Sequence, residues 1–278
     1  MSGGGQPARH GDVTVVIPCF NYGAYLVEAV GSALHQRGGP ARVIVVDDGS
    51  TDPHTLEVLA GLPNEVEVVR RPNGGPSAAR NTGAEHSDTP YLLSLDADDR
   101  LTPDALDRMR APLDADPSIA YSYGHTELFG DWSGRLAFPD PDPYRMLYRS
   151  IVSATSLVRR SAWDAIGGFD PDIPRYEDWD FYLGALERGL TGVRVDGVTL
   201  LYRRHRGSKV DVDRSGYRAA YRAIRAKHAR LYSRANELAR ESSLGPAERL
   251  LYRSYFAWRP IPARIEQAIY QRALFRRA

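Results

Sequence analysis

Short apolar runs alternate with helix-period patterns along the first hundred residues. Buried strands are predicted at residues 13–17, 42–47, 65–69 and 91–95. The segments between them predict helices that end near Gln36, Leu59 and His86, the second capped by Asp52 or Thr51 and the third by Ser77. Strands that are apolar throughout and alternate with helices are typical of a parallel sheet covered on both faces. We therefore expect an α/β fold.

The pattern is weaker after residue 101. Helices are predicted at 103–113, 162–166 and 178–188 and from 213 onward, strands at 119–123, 151–158, 193–195 and 198–202, and a loop at 129–145. Neither G-x-G-x-x-G nor G-x-x-x-x-G-K-[ST] occurs in the chain. The absence of both fingerprints argues against a dinucleotide-binding Rossmann domain and against a P-loop NTPase.

Three carboxylates, those of Asp96, Asp98 and Asp99, follow the fourth predicted strand. Ligands of open α/β sheets bind at the carboxyl ends of strands. Like charges this close favour a bound cation, and oxygen ligands suit Mg²⁺ or Mn²⁺, often shared with a substrate phosphate. The cluster therefore predicts a site for a metal-bound phosphate compound. The alternative is that Asp98 or Asp99 caps the helix near Pro103.

Charge is distributed unevenly along the chain. Residues 1–200 hold 17 Lys and Arg against 29 Asp and Glu, whereas residues 201–278 hold 19 against 6. The basic end suits an anionic partner such as membrane headgroups, a lipid phosphate or nucleic acid, or its helices pack on the acidic body. Cys19 is the only cysteine, which excludes an internal disulfide and fits a reducing compartment. We expect no signal segment and no transmembrane helix.

Six motifs together resemble those of the family-2 glycosyltransferases. They are Val-Ile-Pro-Cys-Phe-Asn at 16–21, Val-Asp-Asp-Gly-Ser-Thr-Asp at 46–52, Gly-Gly-Pro-Ser-Ala-Ala-Arg-Asn-Thr-Gly at 74–83, Leu-Asp-Ala-Asp-Asp at 95–99, Gly-Gly-Phe-Asp at 167–170 and Tyr-Glu-Asp-Trp-Asp at 176–180. The resemblance covers about residues 12–208. It implies a GT-A fold, a mostly parallel Rossmann-like sheet flanked by helices, and an inverting enzyme that uses a nucleotide-diphosphate sugar.

The resemblance implies a set of nucleotide-binding residues: Pro18, Phe20, Asn21, Asp48, Arg80, Asn81 and Asp96. Pro18 and Phe20 would shape the base pocket, and Asp48 would accept a hydrogen bond from the base or from ribose. Arg80 would lie near the diphosphate, since a guanidinium binds phosphate oxygens bidentately. Helix capping by Asp48 and a surface position for Arg80 are the alternatives. Asn81 would bind either nearby backbone or ribose.

The resemblance also implies the metal ligands. Asp96 would bind ribose or sugar and Asp98 the metal, Mg²⁺ or Mn²⁺, which neutralises the leaving diphosphate. Asp99 would be a second metal contact or orient the loop. His205, in the basic segment after the last predicted strand, would complete the metal shell; a structural or solvated histidine is the alternative.

The general base implied by the resemblance is Asp178, which would take a proton from the acceptor hydroxyl. Glu177 and Asp180 are close enough in sequence to exchange roles with it. Trp179 and Asp180 would line the acceptor or sugar pocket. The alternatives are an acidic first helical turn for the carboxylates and a core position for Trp179.

These inferences predict a flexible N-terminus at 1–11, a catalytic domain at 12–210 and a basic helical extension at 211–278. Within the catalytic domain, residues 12–101 would bind the nucleotide and 102–210 the acceptor, a saccharide, a lipid-linked molecule or a small molecule. We expect no nucleic-acid partner. We expect a cytoplasmic bacterial enzyme of cell-envelope polysaccharide or glycolipid synthesis, with the extension either docked on an anionic membrane or packed on the domain. The alternatives are a sugar-1-phosphate nucleotidyltransferase and a non-catalytic nucleotide-sugar-binding protein.

Overall fold

The computed structural model describes residues 11–173, 175–205 and 215–256. The strands are β1 (Val13–Cys19), β2 (Arg42–Asp47), β3 (Val66–Arg70), β4 (Tyr91–Ser94), β5 (Arg100–Leu101), β6 (Ile119–Gly130), β7 (Gly134–Leu136), β8 (Leu157–Arg159) and β9 (Thr191–Arg204). The helices are α1 (Gly23–Leu34), α2 (Pro53–Ala60), α3 (Gly75–Glu85), α4 (Ala105–Ala115), α5 (Pro143–Met146), α6 (Arg160–Ile166), α7 (Glu177–Glu187), α8 (Ser215–Lys227), α9 (Ala229–Ser233), α10 (Ala235–Glu241) and α11 (Pro246–Leu251). A π-helical turn, Tyr252–Phe256, follows α11.

All of these strands belong to one sheet. Its order is β3-β2-β1-β4-β8-β6-β9-β5, and β7 pairs with β6 beside this path. The neighbours β3, β2, β1 and β4 run parallel to one another, as do β6 and β9. β8 runs antiparallel to both β4 and β6, and β5 antiparallel to β9. The predicted α/β fold with a mostly parallel sheet is therefore confirmed.

The first strand shows why this half of the chain is apolar in runs. Successive side chains of a strand point to opposite faces of the sheet. Val15 packs into a core cluster with Leu26 of α1, whereas Val16 packs into another with Ala79 of α3. Both faces of β1 are thus covered by helices, which requires apolar residues at consecutive positions.

Two helix starts illustrate local and distant capping. Asp52 caps α2 as predicted, because its carboxylate accepts the backbone N–H of Thr55 at 2.8 Å. The prediction that Ser77 caps the next helix is wrong, since α3 begins at Gly75 and Ser77 is buried in its first turn. The carboxylate of Asp48, from the end of β2, accepts the N–H groups of Gly74 and Gly75 at 3.0 and 2.7 Å instead.

The second half departs further from the sequence-based expectations. The predicted strands at 193–195 and 198–202 are one strand, β9, which pairs with β6 as far as Gly130, inside the predicted loop. The register shift between Tyr123 and His125 lets the three residues between Arg194 and Val198 bulge out of the ladder. The predicted strand at 151–158 is reduced to β8, and the predicted loop at 129–145 contains β7 and the start of α5. The bounds of these elements depend on pairing between strands that are far apart in the chain, and such pairing leaves no periodic pattern in the sequence.

The described part of the C-terminal extension packs on the rest of the protein. Ile224, Leu231 and Leu238 are buried in the same cluster as Trp179 of α7. This packing confirms, for residues 215–244, the alternative in which the helices dock on the body. The apolar residues nearer the end of the extension, Trp258, Ile261, Ile265 and Ile269, lie outside the described residues. Within the described ranges, no helix is both long and apolar enough to cross a bilayer.

Candidate active site

The acidic residues after β4 lie where the sheet topology predicts a ligand site. β1 lies between β2 and β4, and all three are parallel, so their carboxyl ends meet at one edge. The segments that follow these strands carry Phe20, Asp48 and Asp96 respectively. The structure thus brings three motifs from separate parts of the sequence to one edge.

The loop after β4 holds its three carboxylates in different environments. Asp96 is partly exposed, whereas Asp99 is buried and its Oδ1 accepts the backbone N–H of Arg203 at 2.8 Å. Burial, together with the charge of Asp96, raises the pKa of Asp98, and burial with both neighbouring carboxylates raises that of Asp99 well above its usual value. The helix-capping alternative for Asp98 and Asp99 is excluded, because α4 begins after Asp104.

Arg203 of β9 fixes this acidic loop. Its Nε donates to the carbonyl oxygen of Asp98 at 2.9 Å, and its Nη2 pairs with Glu28 of α1 at 2.8 Å. The guanidinium also lies 4.9 Å from the ring centroid of Tyr25 and 4.4 Å from that of Phe129. The backbone and the side chain of Arg203 together therefore hold the acidic loop against α1 and β9.

His205 lies beside the same loop. Its Nε2 is 3.2 Å from Oδ2 of Asp98, and its ring centroid is 5.1 Å from that of Tyr25 and 6.0 Å from that of Tyr22. The structure thus brings together two of the three metal ligands implied by the family resemblance, while Asp99 instead binds the backbone of Arg203.

A metal ion would find two ligands here in an environment that favours a cation. Among the described residues, no three His, Cys, Asp or Glu side chains converge closely enough to hold an ion by themselves. The pair Asp98 and His205 nevertheless fits an ion that takes its remaining ligands from substrate phosphate and water, as Mg²⁺ commonly does. The pKa values of Asp98 and Asp99 are raised by burial first and by the neighbouring carboxylates second, and a bound cation would oppose both effects.

Arg80 connects the acidic loop to the start of α7. Its Nη2 donates to Oδ1 of Asp96 and its Nη1 to Oε1 of Glu177, both at 2.7 Å. The side chain is only 4% exposed and lies 5.2 Å from the ring centroid of Phe169. The surface-arginine alternative is therefore wrong. One guanidinium joins residues that are 16 positions and 97 positions away from it in sequence.

The first turn of α7 carries two carboxylates in contrasting states. Glu177 is paired with Arg80, whereas Oδ2 of the half-buried Asp178 accepts the hydroxyl of Ser150 at 3.3 Å. Burial, and then the charge of Glu177, raises the pKa of Asp178 from 3.8 to about 6, although Arg80 opposes the shift. The preceding residue, Tyr176, has a left-handed backbone with φ of 62°, a conformation that often marks functional sites.

The residues predicted to shape the base pocket lie at or directly after the end of β1, which pairs with β2. Phe20 is 46% exposed, whereas Oδ1 of Asn21 accepts the N–H groups of Thr51 and Asp52 at 2.9 and 3.0 Å. Pro18 is partly buried in β1, in register with Val46 of β2. Phe20 thus presents an aromatic surface to solvent, while Asn21 shapes the loop beside it.

Asp48 and Asn81 hold backbone in the structure. Asp48 binds the start of α3, as described above, and its Oδ1 is 3.3 Å from Nη1 of Arg71. The carboxamide of Asn81 donates to the carbonyl of Phe169 at 2.7 Å and accepts its N–H at 2.9 Å. The contacts of Asn81 agree with the alternative in which it binds nearby backbone. Asp48 caps a helix, as its alternative role proposed, but the helix is α3 and not the one that follows Asp48 directly in sequence.

The residues expected to line an acceptor or sugar pocket lie in the core instead. Trp179 is 1% exposed, stacks on Tyr221 and donates its indole N–H to the carbonyl of Met146. Asp180 is buried and pairs with Lys227 at 2.8 Å and with His228 at 2.9 Å. The physical reason is helical periodicity, which places Trp179 about 200° around the helix axis from Glu177, and Asp180 about 200° from Asp178.

A model of one known family matches residues 14–154 of this chain, which is about half its length. That family is described as glycosyl transferase family 2. The chain belongs to glycosyl transferase family 2.

Individual members of family 2 support this assignment over a larger part of the chain. The chondroitin synthase of Pasteurella multocida (strain Pm70) is 29% identical over 184 residues, 64% of this chain and 19% of that protein. The pre-mycofactocin glycosyltransferase of Mycobacterium tuberculosis (strain CDC 1551 / Oshkosh) is 32% identical over 216 residues, 71% of this chain and 43% of that protein. The chain therefore spans less than half the length of these relatives.

Solved structures show the same fold. Residues 1–349 of S. aureus TarS, crystallised with UDP-GlcNAc, align with a TM-score of 0.65 and 20% identity. The alignment covers 88% of this chain and 71% of that structure. The GT-A fold expected from the motifs is thereby confirmed.

Four residues at this site were not singled out from the sequence: Tyr22, Tyr25, Ser150 and Arg203. Tyr22 and Tyr25 stand at the start of a helix directly after the 16–21 motif, which is a signal that could have indicated them. Arg203 belongs to the basic segment around His205 but has no distinguishing neighbour. Ser150 lies in a segment without any motif, so that only the fold reveals its contact with Asp178.

Proposed function

We propose that the protein is an inverting glycosyltransferase that moves a sugar from a nucleotide-diphosphate sugar to an acceptor hydroxyl. Asp178 is the general base, and the loop from Asp96 to Asp99 faces the diphosphate of the donor. Family membership supports the reaction class. The roles of the individual residues follow from the geometry of the site and from the chemistry of the transfer.

The observation that carries this proposal is the position of Arg80 between Asp96 and Glu177. It brings the loop proposed to hold the donor to the first turn of α7, which carries the proposed base. A transfer reaction requires that donor and acceptor meet with the base beside the attacking oxygen. The two halves of the predicted site are therefore adjacent, although they are about 80 residues apart in the chain.

Asp178 suits the role of base better than Glu177. An efficient base has a pKa near the working pH, and the pKa of Asp178 is raised to about 6, while the carboxylate of Glu177 is held by Arg80. Asp178 takes the proton of the acceptor hydroxyl as that oxygen attacks the anomeric carbon. The bond from this carbon to the diphosphate oxygen breaks, and the nucleoside diphosphate leaves with the electron pair. Attack opposite the leaving group inverts the anomeric configuration.

Asp98 and His205 are the residues proposed to hold Mg²⁺ or Mn²⁺. When bound, the ion supplies positive charge to the diphosphate leaving group. Asp99, whose carboxylate binds the backbone of Arg203, orients the loop. Asp96 is partly exposed and paired with Arg80, a position that suits a contact with the ribose or sugar of the donor.

A uridine nucleotide is the donor that we propose to test first, because S. aureus TarS has been crystallised with UDP and with UDP-GlcNAc. The exposed ring of Phe20 is available for contact with a base. For the acceptor we propose a saccharide of cell-envelope polysaccharide or glycolipid synthesis, since chondroitin synthases are among the relatives.

The test is binding of UDP, GDP, dTDP and CDP to the full chain, measured by thermal shift with and without Mn²⁺. We expect one nucleotide to raise the melting temperature in a Mn²⁺-dependent way, and Asp98→Ala to abolish this dependence. The matched control is Asp88→Ala, which removes a carboxylate that is 90% exposed. If no nucleotide stabilises the wild type, or if both variants behave alike, the proposed donor site is wrong.

Peripheral binding to an anionic membrane is a second proposal for the C-terminal extension. Leu250 and Leu251 of α11 are 66% and 50% exposed, in a region with an excess of arginine. We expect the full chain to float with phosphatidylglycerol vesicles, and replacement of both leucines by glutamate to prevent it. Val27→Glu, at a site 61% exposed on α1, is the control. Equal flotation of all three proteins would contradict the proposal.

A further inference from the structure

A cavity of about 330 Å³ lies between the catalytic body and the C-terminal helices. Tyr144 and Tyr148 contribute to its wall from α5 and the segment after it. Tyr232 belongs to α9, Arg225 to α8 and Arg253 to the π-helical turn. Its volume is at the small end of the range for ligand sites, about 300–1,000 Å³, so it suits a group the size of a single sugar.

The cavity combines aromatic walls with uncompensated positive charge. Arg225 and Arg253 are exposed, and neither has an acidic partner within the described part of the chain. The guanidinium of Arg225 lies 5.6 Å from the ring centroid of Tyr232. None of the described residues that line the cavity is acidic. Two arginines that line one cavity, with no carboxylate among its other lining residues, favour binding of an anion with two or more oxygens.

The tyrosine hydroxyls fix the walls of this cavity. The hydroxyl of Tyr144 donates to the carbonyl of Arg249 at 3.1 Å, and that of Tyr232 to the carbonyl of Leu147 at 2.5 Å. These bonds fix the orientation of two rings, while the lining of the cavity is mostly polar and the exposed carboxamide of Asn236 adds a donor and an acceptor to it. A mostly polar lining offers hydrogen-bond partners to a ligand with many hydroxyl groups, such as a sugar.

The cavity is close to the proposed base. The carbonyl of Met146 accepts the indole N–H of Trp179, and the hydroxyl of Ser150 donates to Asp178, so residues 146–150 run along the start of α7. Tyr148 belongs to the same segment. Tyr148 and Ser150 are two positions apart, and a chain spans at most about 3.6 Å per residue, so their Cα atoms lie within about 7 Å.

We propose that this cavity binds an acidic sugar unit of the acceptor, with its carboxylate or phosphate on Arg225 and Arg253 and its ring against the tyrosines. The inference rests on the proposed glycosyltransferase function and specifies the class of acceptor. The accepting hydroxyl would belong to a neighbouring unit that reaches Asp178. The strongly basic composition of residues 201–278 agrees with an acidic acceptor.

The first test measures binding of glucuronic acid, glucose 6-phosphate and glucose to the full chain by ligand-observed NMR titration, without nucleotide or metal. We expect at least one acidic sugar to bind about tenfold or more tightly than glucose, because charge-assisted hydrogen bonds to arginine are lost in the neutral sugar. Comparison of glucuronic acid with glucose 6-phosphate identifies whether the site prefers a carboxylate or a phosphate. The double variant Arg225→Gln/Arg253→Gln should bind all three sugars alike.

The control is Arg222→Gln/Arg230→Gln, which removes the same charge from exposed positions of α8 and α9 that do not line the cavity. It should retain the preference for the acidic sugar. Equal binding of glucose, equal loss in both double variants, or binding of anionic vesicles through Arg225 and Arg253 without any binding of soluble acidic sugars would overturn the inference.

Failure of the donor site would be distinguishable from failure of this inference. Asp98→Ala should bind the acidic sugar as the wild type does, because the cavity contains no residue of the acidic loop. Loss of nucleotide binding in the wild type with intact binding of the acidic sugar would refute the proposed function alone. Intact nucleotide binding without any binding of acidic sugars would refute only the inference about the cavity.

Discussion

Replacement of Asp178 by asparagine should abolish activity and at the same time stabilise the protein. The burial of this carboxylate, together with the charge of Glu177, raises its pKa from 3.8 to about 6. A group whose folded pKa is raised is more easily ionised in the unfolded chain, so ionisation favours unfolding. Asparagine has nearly the same shape as aspartate but carries no charge, so the variant does not lose stability through ionisation of a buried group.

The magnitude follows from the shift. About two pKa units at 1.36 kcal/mol each correspond to about 3 kcal/mol of destabilisation of the wild type above pH 6. The cost is absent below pH 3.8 and develops as the pH rises toward 6, reaching about half its full value at pH 5. We expect the free energy of unfolding of Asp178→Asn to exceed that of the wild type by about 1–3 kcal/mol at pH 7.5, and by less at pH 5.

Urea unfolding at pH 5 and pH 7.5 measures this difference, and initial rates of sugar transfer measure the other half of the prediction. The kcat of the variant should fall by about 10²–10⁴, the usual contribution of a general base. In the wild type, kcat/KM should fall as the pH decreases through about 6, since Asp178 is then protonated. A variant that is less stable at pH 7.5, or that retains kcat, would refute this account of Asp178.

Two neighbouring acids in the same helix provide matched controls. Glu177→Gln removes one acidic partner of the buried Arg80, and Asp180→Asn removes one acidic partner each of Lys227 and His228, which also contact Asp170 and Glu187 respectively. Both should lower stability at pH 7.5, opposite in sign to Asp178→Asn, because Glu177→Gln takes one of two acidic partners from the buried Arg80, and Asp180→Asn weakens the contacts of a buried carboxylate with Lys227 and His228. Stabilisation by all three substitutions would indicate a general effect of lost negative charge in this turn.

Three further predictions concern the framework of the site. Asp180→Asn should cost about 2–4 kcal/mol in urea unfolding at pH 7.5, and a loss below 1 kcal/mol would show that α8 does not depend on this acid. Arg80→Met should cost about 3 kcal/mol, because it leaves the carboxylates of Asp96 and Glu177 without their shared cation; an unchanged midpoint would contradict the bridge. Gly83→Ala should cost about 1–3 kcal/mol, since a Cβ there would lie 2.2 Å from Cγ1 of Val16, and the additional change Val16→Ala should recover part of that loss.

The first half of the fold could be predicted from the sequence because its signals are local. The apolar runs of β1, β2 and β4 reflect burial on both faces of a parallel sheet, and acidic residues follow β2 and β4 closely. The carboxyl ends of parallel neighbours meet at one edge. The positions of Phe20, Asp48 and Asp96 at that edge therefore followed from pattern and spacing.

The second half could not be predicted in the same way. β9 is one strand because β6 pairs along it, with a bulge at the residues that the sequence pattern suggested were a break. Side chains on consecutive positions of α7 also diverge in role. Glu177 and Asp178 face the site, while Trp179 and Asp180 are buried against the C-terminal helices, because a helix rotates each residue by about 100°.

The composition of the chain indicated a basic extension, and the motifs indicated an acidic loop and a base. Neither indicated that Arg80 joins that loop to α7, nor that Ser150 contacts Asp178, nor that three tyrosines and two arginines enclose a cavity beside them. These arrangements depend on contacts between residues far apart in the chain. Motifs record the chemistry of individual side chains, whereas their distances, burial and shared charges arise only when distant segments pack together.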